Sequence, residues 1–498
     1  MIEYGGRRTL IVIGIMMAAL LQTLDATIVN VALPTIEGNV GASIDDGIWI
    51  VTGYIISNVI AIPLAPYFLQ RFGRRQYFAT CIIGFTVASF LCGSAHTLSE
   101  LVFYRIVQGA FGGGLISTSQ IILRETFPPS KVGTSAALFA IALTAGPALG
   151  PTLGGILTDN LSWQWVFYIN LVPGTIAAVI VLTMLRNPTA PRTLPFDAPG
   201  LALLAIALGS MQYVLDEGER RDWFSDGGIV LFTTTFVVGL AGFIAWELYG
   251  SKNPIVDLRV FRYRTVRAGT VLAIMMGMII FGPVVMLPQY VQNILGFTST
   301  GSGLLLLMRA APVILLTPLV ARAATRLDAR ILLGAGFTIS GLSFYLISQR
   351  MTPGSDFDAF VGVLAFSGIG QSMLLVPLLV GVLGSVQLPD MPKVSSFISL
   401  SVQLGGSIAS TMLVTVLDRR TYFHSDVYRS AITLSNPYLN DPTHRPGTLA
   451  GLARLVSLQA TNAGFADAIF ALVPVAFVAV AIALTLRKAN KKEPSPAK

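Results

Sequence analysis

Long apolar runs alternate with short polar, arginine-bearing segments along the whole chain. Runs of about 18–25 residues are long enough to cross roughly 30 Å of hydrocarbon as helices. Fourteen spans are predicted on this pattern, over residues 10–34, 47–68, 77–95, 99–123, 133–157, 163–185, 198–215, 227–249, 269–291, 302–322, 331–349, 358–384, 394–417 and 465–486. The run at 198–215 is the shortest, but it carries no charge. The expected fold class is therefore an all-α polytopic membrane protein.

Composition agrees. The chain is 53% hydrophobic and only 12% charged, against about 25% charged in soluble domains. Its net charge of +8 has a membrane explanation. With the N-terminus placed in the cytoplasm, twenty-three of the 33 Lys and Arg fall on that side and eight on the outer side; Arg105 and Arg309 lie inside spans. This asymmetry follows the positive-inside rule, so both termini are expected in the cytoplasm, and a nucleic-acid partner is not needed to explain the basic balance. Met1–Arg8 is too short for a cleavable signal peptide, and the first span is expected to act as an uncleaved anchor. Cys81 and Cys92 share one predicted helix about 16 Å apart along its axis, too far for a disulfide. The three histidines, His96, His424 and His444, fall in outer segments, so no metal site is expected.

Pro63-Leu64, Arg71 and Arg75 recur as Pro318-Leu319, Arg326 and Arg330, each displaced by 255 positions. Such a repeat reads as two homologous six-helix halves, a transporter architecture. The expected organisation is an N-terminal half (1–186), two inserted helices (187–250), a cytoplasmic loop (251–267), a C-terminal half (268–488) and a cytoplasmic tail (489–498). The C-terminal half includes a long outer loop, 418–464, whose Leu449–Ala460 portion has helical apolar spacing. The loop is either a passive connection or a docking surface.

Chemistry concentrates at a few positions. Asp25 lies deep in the first span, where an ionised carboxylate costs about 2.5–3.5 kcal/mol on insertion scales, which makes it a candidate proton or ion carrier. Arg105, in Arg105-Ile106-Val107-Gln108-Gly109, enters the fourth span from the outer side. It should lie roughly 10 Å deep, and Asp25 about 13 Å. Pairing is the cheapest arrangement for both, either as a static ion pair or as one that switches. In the fifth span Gly146, Gly150 and Gly154 form a stripe with period four beside Gly155, interleaved with Pro147 and Pro151. The stripe permits close helix approach and the prolines each remove a backbone hydrogen bond, as a gate or a static packing face would require. Arg71, Gly73, Arg74 and Arg75 make a basic turn between the second and third spans that suits a latch against helix ends or simple topogenic charge.

Together these motifs resemble the drug:proton antiporters of the major facilitator superfamily, in their fourteen-helix branch. Leu24–Pro34 resembles that branch's first-helix signature, Arg105–Gly109 the fourth-helix motif, Gly146–Gly155 the antiporter motif, and Gly73-Arg74-Arg75 the helix 2–3 loop motif, in which Gln70 stands at an Asp position. Leu215–Gly218, Asp222–Ser225, Asn253–Leu258 and the long outer loop resemble the inner-membrane permeases of tripartite multidrug pumps. The resemblance implies a major facilitator fold of 14 transmembrane helices, two six-helix halves plus two inserted helices. It implies proton-coupled export of hydrophobic or amphipathic drugs across a bacterial inner membrane by alternating access. No cofactor is expected beyond the proton gradient, and Asp25 with Arg105 would couple it. A periplasmic membrane-fusion adaptor and an outer-membrane channel are the implied partners. Candidate substrate-cavity residues, all polar within spans, are Gln22, Asn30, Asn58, Gln108, Gln289, Gln371 and Gln403. A dedicated exporter of one metabolite, siderophore or organic acid is the alternative. A membrane enzyme would need a cluster of catalytic carboxylates, His or Cys, which the sequence lacks.

Overall fold

The computed structural model describes residues 4–42, 44–47, 49–128, 131–187, 196–251, 254–324, 326–387, 390–430 and 448–486. The tail 489–498 and the central part of the 418–464 segment lie outside these. Among the described residues there is no strand, and fourteen helices are long and apolar enough to cross a membrane. They are α1 (Gly5–Val40), α2 (Trp49–Phe72), α3 (Arg74–Gly93), α4 (Leu98–Thr126), α5 (Val132–Asn160), α6 (Trp165–Met184), α7 (Ala198–Glu217), α8 (Gly227–Gly250), α9 (Arg264–Asn293), α10 (Ser299–Ala324), α11 (Ala329–Arg350), α12 (Phe357–Leu383), α13 (Met391–Ser430) and α14 (Gly451–Thr485).

Local chemistry explains where these helices start and bend. Some helix starts are capped: Thr97 Oγ1 accepts from Glu100 N at 3.3 Å, and Asp226 Oδ1 from Ile229 N at 3.0 Å, each satisfying an orphan donor of the first turn. Gly73, at φ +82°, closes the turn between α2 and α3 in a region that side-chain-bearing residues rarely enter. Prolines loosen the ladder: α2 narrows to a 3-10 turn at Ile62–Leu64 around Pro63, and α12 breaks between Ser372 and Leu375, just before Pro377.

Helix neighbours repeat along the chain. In the first six helices α1 packs on α5 and α6, α2 on α4, and α3 on α4 and α6; in the last six α9 packs on α13 and α14, α10 on α12, and α11 on α12 and α14. The two sets meet along α5–α10, with α2 and α4 against α13. Helix α7 bridges α2 and α13, and α8 packs mainly on α7. The α5–α10 seam is tight near both ends: a β-carbon on Gly133 would stand 2.7 Å from Ala321 O, and one on Gly303 2.7 Å from Thr152 Cα.

The 418–464 segment differs from the expected loop. α13 continues unbroken to Ser430, and the chain is helical again from Thr448. Residues 418–430 contain no Gly or Pro, so their polarity takes the helix out of the apolar zone without ending it. Asp467 ties the two arms together, accepting from Arg420 Nε at 2.5 Å and lying 2.8 Å from His424 Nε2.

Candidate functional site

Asp25 and Arg105 meet. Arg105 Nη1 donates to Asp25 Oδ2 at 2.6 Å, and the two side chains are 1% and 0% exposed. Asp25 Oδ1 accepts from Gln108 Nε2 at 3.0 Å and from Asn170 Nδ2 at 3.1 Å. One carboxylate thus joins α1, α4 and α6. The guanidinium also donates through Nε to Ile50 O at 3.1 Å and through Nη1 to Gln108 Oε1 at 2.7 Å, and it lies 4.1 Å from the centre of the Tyr54 ring. Such charge-assisted pairing, with further hydrogen bonds to both partners, is what makes a buried ion pair tolerable. Behind it, Asn170 Nδ2 donates to Ser89 Oγ at 3.0 Å, and Ser89 Oγ donates to Phe167 O at 2.9 Å.

The glycine stripe of α5 faces α1 on either side of Asp25. A β-carbon on Gly146 would lie 2.6 Å from the Thr23 carbonyl carbon, one on Gly150 would overlap Thr27 Oγ1, and one on Gly154 would stand 2.7 Å from Ile28 O. Gly155 and Pro151 are buried beside them. Thr23 Oγ1 donates across to Ala142 O at 3.1 Å. The stripe thus seats the carboxylate-bearing helix within one half, while Pro147, on another face of α5, lines the seam between halves. The basic turn is tied at three points. Arg74 pairs with Glu125 at the end of α4, Arg75 N donates to Asn187 Oδ1 at 2.9 Å, and Arg71 Nη1 donates to Tyr67 Oη at 2.8 Å.

The polar candidates divide. Gln108 belongs to the Asp25 network. Asn58 bridges helices, donating to Gly109 O at 3.4 Å, and Gln22 is buried near Tyr54, whose hydroxyl donates to Gln22 O at 3.5 Å. Asn30 and Gln289 are exposed; polarity within a span does not say which way the helix face points. Gln371 and Gln403 do reach the seam, in two cavities of about 10 Å3 each, near the space one water needs. Gln403 shares its cavity with Gln120 and Ser399. Gln120 Oε1 accepts from Ser395 and, at 3.1 Å, from Ser399, which joins α4 to α13 across the halves. Gln371 shares the other cavity with Pro147 and Arg309.

Sequence reasoning missed Asn170, Gln120, Ser399 and the surroundings of Arg309. Each is a polar residue in or beside an apolar run, and that was the available signal. Arg309 is 4% exposed and, among the described residues, donates to neutral oxygens alone: Ser367 Oγ at 3.3 Å, Ile280 O at 3.0 Å and Ile279 O at 2.7 Å.

Comparison with known proteins bears on this arrangement. The profile of the Major Facilitator Superfamily matches residues 15–297. The multidrug export protein EmrB of Escherichia coli K12 is 35% identical over 438 residues, 87% of this chain and 85% of that protein. The fatty acid resistance protein FarB of Neisseria gonorrhoeae is 34% identical over 422 residues, 84% of this chain and 82% of that one. Among solved structures, an auto-inhibited peptide transporter of the POT family superposes with a TM-score of 0.61 at 15% identity, covering 99% of both chains.

Proposed function

The chain belongs to the Major Facilitator Superfamily and is a transporter, and from that premise we propose that it is a proton-coupled antiporter exporting hydrophobic or amphipathic drugs by alternating access. The two relatives' names, multidrug export and fatty acid resistance, both fit an amphipathic substrate class. The observation that carries proton coupling is the Asp25 network, in which one fully buried carboxylate holds three helices.

Hydrogen bonds to a charged group contribute about 1.5–3 kcal/mol each, and neutral ones about 0.5–1.5. Protonation of Asp25 therefore weakens three bonds by roughly 1–2 kcal/mol apiece. That sum is of the order needed to carry a two-state equilibrium from 1:99 to 99:1, about 5.5 kcal/mol. Because Asp25 is 0% exposed, its proton exchange requires helix movement, and the proton and the movement are coupled. Arg105 keeps its charge throughout and recaptures the carboxylate on deprotonation. Substrate would enter by widening the α5–α10 seam. Asp25→Asn should insert normally yet reduce export driven by an imposed pH gradient in vesicles to the ungated background. Wild-type export by that variant would remove Asp25 from the coupling role.

The termini and the basic turns would face the cytoplasm, with the membrane being a bacterial inner membrane. The helical arms on either side of residues 431–447 carry exposed Tyr422, Phe423, Val427 and Leu455. That apolar surface supports the docking of a periplasmic membrane-fusion adaptor, with an outer-membrane channel completing the path. Deleting residues 419–460 should abolish co-purification with a co-expressed adaptor, and undiminished recovery would reduce the arms to a passive connection.

A further inference from the structure

We propose that Arg309 is an anion-accepting subsite of the transport path, taking the carboxylate of an amphipathic organic acid. This deepens the exporter reading and rests on it. Arg309 lies ten residues into α10, about 15 Å along the helix, near the middle of the span. A cation at that depth is expensive unless it is paired. Arg105 has Asp25, but no carboxylate among the described residues lies within ion-pair distance of Arg309, and its three recorded acceptors are neutral. One of them has a sequence reason: Pro283 lacks the N–H that would bond Ile279 O, and the guanidinium fills that place while also reaching the adjoining carbonyl of Ile280. A guanidinium offers five N–H donors. Three are engaged, and two donors and the full charge remain.

What lies beside it matches an amphiphile. The adjacent cavity is walled by Ile280, Val284, Leu306 and Ala310, with Pro147 contributed by the opposite half. Gln371 lines the same cavity at 5% exposure with its Oε1 unpartnered, and a half-turn of the amide would present its N–H2, the donor a carboxylate needs. One unneutralised guanidinium with two spare N–H donors, set in an apolar wall, suits a carboxylate head on an apolar body. An inorganic anion would leave that wall unused. At about 10 Å3 the cavity must widen to accept such a molecule, and Pro147 in the proline–glycine helix is the wall that would move. Binding of the head at Arg309 would therefore act directly on the seam.

The test uses the purified full-length protein in nanodiscs, with 1-naphthylacetate and its neutral isostere 1-naphthylacetamide titrated by calorimetry. Wild type should bind the acid at least tenfold more tightly than the amide. Arg309→Gln should bring the two within twofold. Arg309→Lys, which keeps the buried charge and serves if the Gln variant fails to insert, should lose at least threefold for the acid with the amide unchanged. Equal affinities in wild type, failure of wild type to bind the acid, or full acid preference in either variant would overturn the proposal. Ethidium export by wild-type vesicles reports the exporter reading separately. Export without acid preference sinks the subsite alone, and acid preference without export sinks the exporter reading alone.

Discussion

Each half of the molecule buries one arginine among its helices, and the two are stabilised differently. In the first half Arg105 sits against Asp25 at 2.6 Å and over the Tyr54 ring at 4.1 Å. In the second, Arg309 leans on a hydroxyl and two carbonyls. The 255-residue displacement of the repeat sharpens the contrast, because it places Arg309 at the position of Tyr54, and Ile280 at the position of Asp25. The second half carries the cation where the first carries the ring, and an apolar residue where the first carries the acid. On the function proposed above, the difference would be a division of labour: a closed pair that a proton opens, and an open charge that a ligand closes.

This comparison breaks most readily through stability. Arg105→Gln leaves Asp25 buried without its counter-ion and should destabilise the protein by about 3–5 kcal/mol. Arg309→Gln removes a charge without orphaning an opposite one, so its loss should be only about 1–2 kcal/mol, from the hydrogen bonds forfeited. Unfolding of both variants in matched detergent measures the gap; equal losses would mean that Arg309 has a counter-charge after all. The helix seats sharpen the comparison next. On α5, a β-carbon at Gly150 first meets a side-chain hydroxyl, Thr27 Oγ1, whereas on α13 one at Gly405 overlaps the backbone carbonyl of Ile274, whose carbon is 2.8 Å away. A rotamer yields more easily than a helix backbone, so Gly405→Ala should cost about 1–3 kcal/mol and Gly150→Ala clearly less, by the same assay.

The smallest effect is expected where charges face water. Lys393 Nζ lies 2.8 Å from Asp257 Oδ2, joining the segment before α9 to the start of α13. Burial pushes the Asp257 carboxyl up, but the Lys393 bond and charge outweigh it and hold it below the usual range. A depressed carboxylate contributes stability above its unfolded value, near pH 3.9, and loses it as pH falls through the lowered one. Lys393→Gln should therefore cost about 0.5 kcal/mol at pH 7, a deficit that fades as melts are repeated below pH 4. A deficit independent of pH would assign Lys393 to packing alone.

Several features were legible before any coordinates. Fourteen spans follow from apolar run length, because hydrocarbon leaves a backbone few ways to satisfy itself. The depths of Asp25 and Arg105 follow from helical rise alone, and so does the α5 stripe from its spacing of four. Depth, however, says nothing of rotation about the helix axis. That is why polarity alone does not separate Asn30 and Gln289, which lie exposed, from Asn170 and Gln120, which sit at the junctions between helices. The polarity of 418–464 predicts a loop, but polarity ends a membrane span without ending a helix, and α13 runs on to Ser430.

By itself, then, the sequence determined the one-dimensional facts of this protein: how many helices cross, how deep each charge lies, and where backbones can touch or bend. Those depend on length, hydrophobicity and the missing atoms of Gly and Pro, which are properties of the chain itself. Only the tertiary structure decided which polar groups face one another, that Arg105 is neutralised while Arg309 is not, and that Pro147 and Arg309 share a cavity across the seam. Those depend on how helices far apart in sequence rotate and pack, and the energy that fixes that rotation is spread over the contacts of all fourteen.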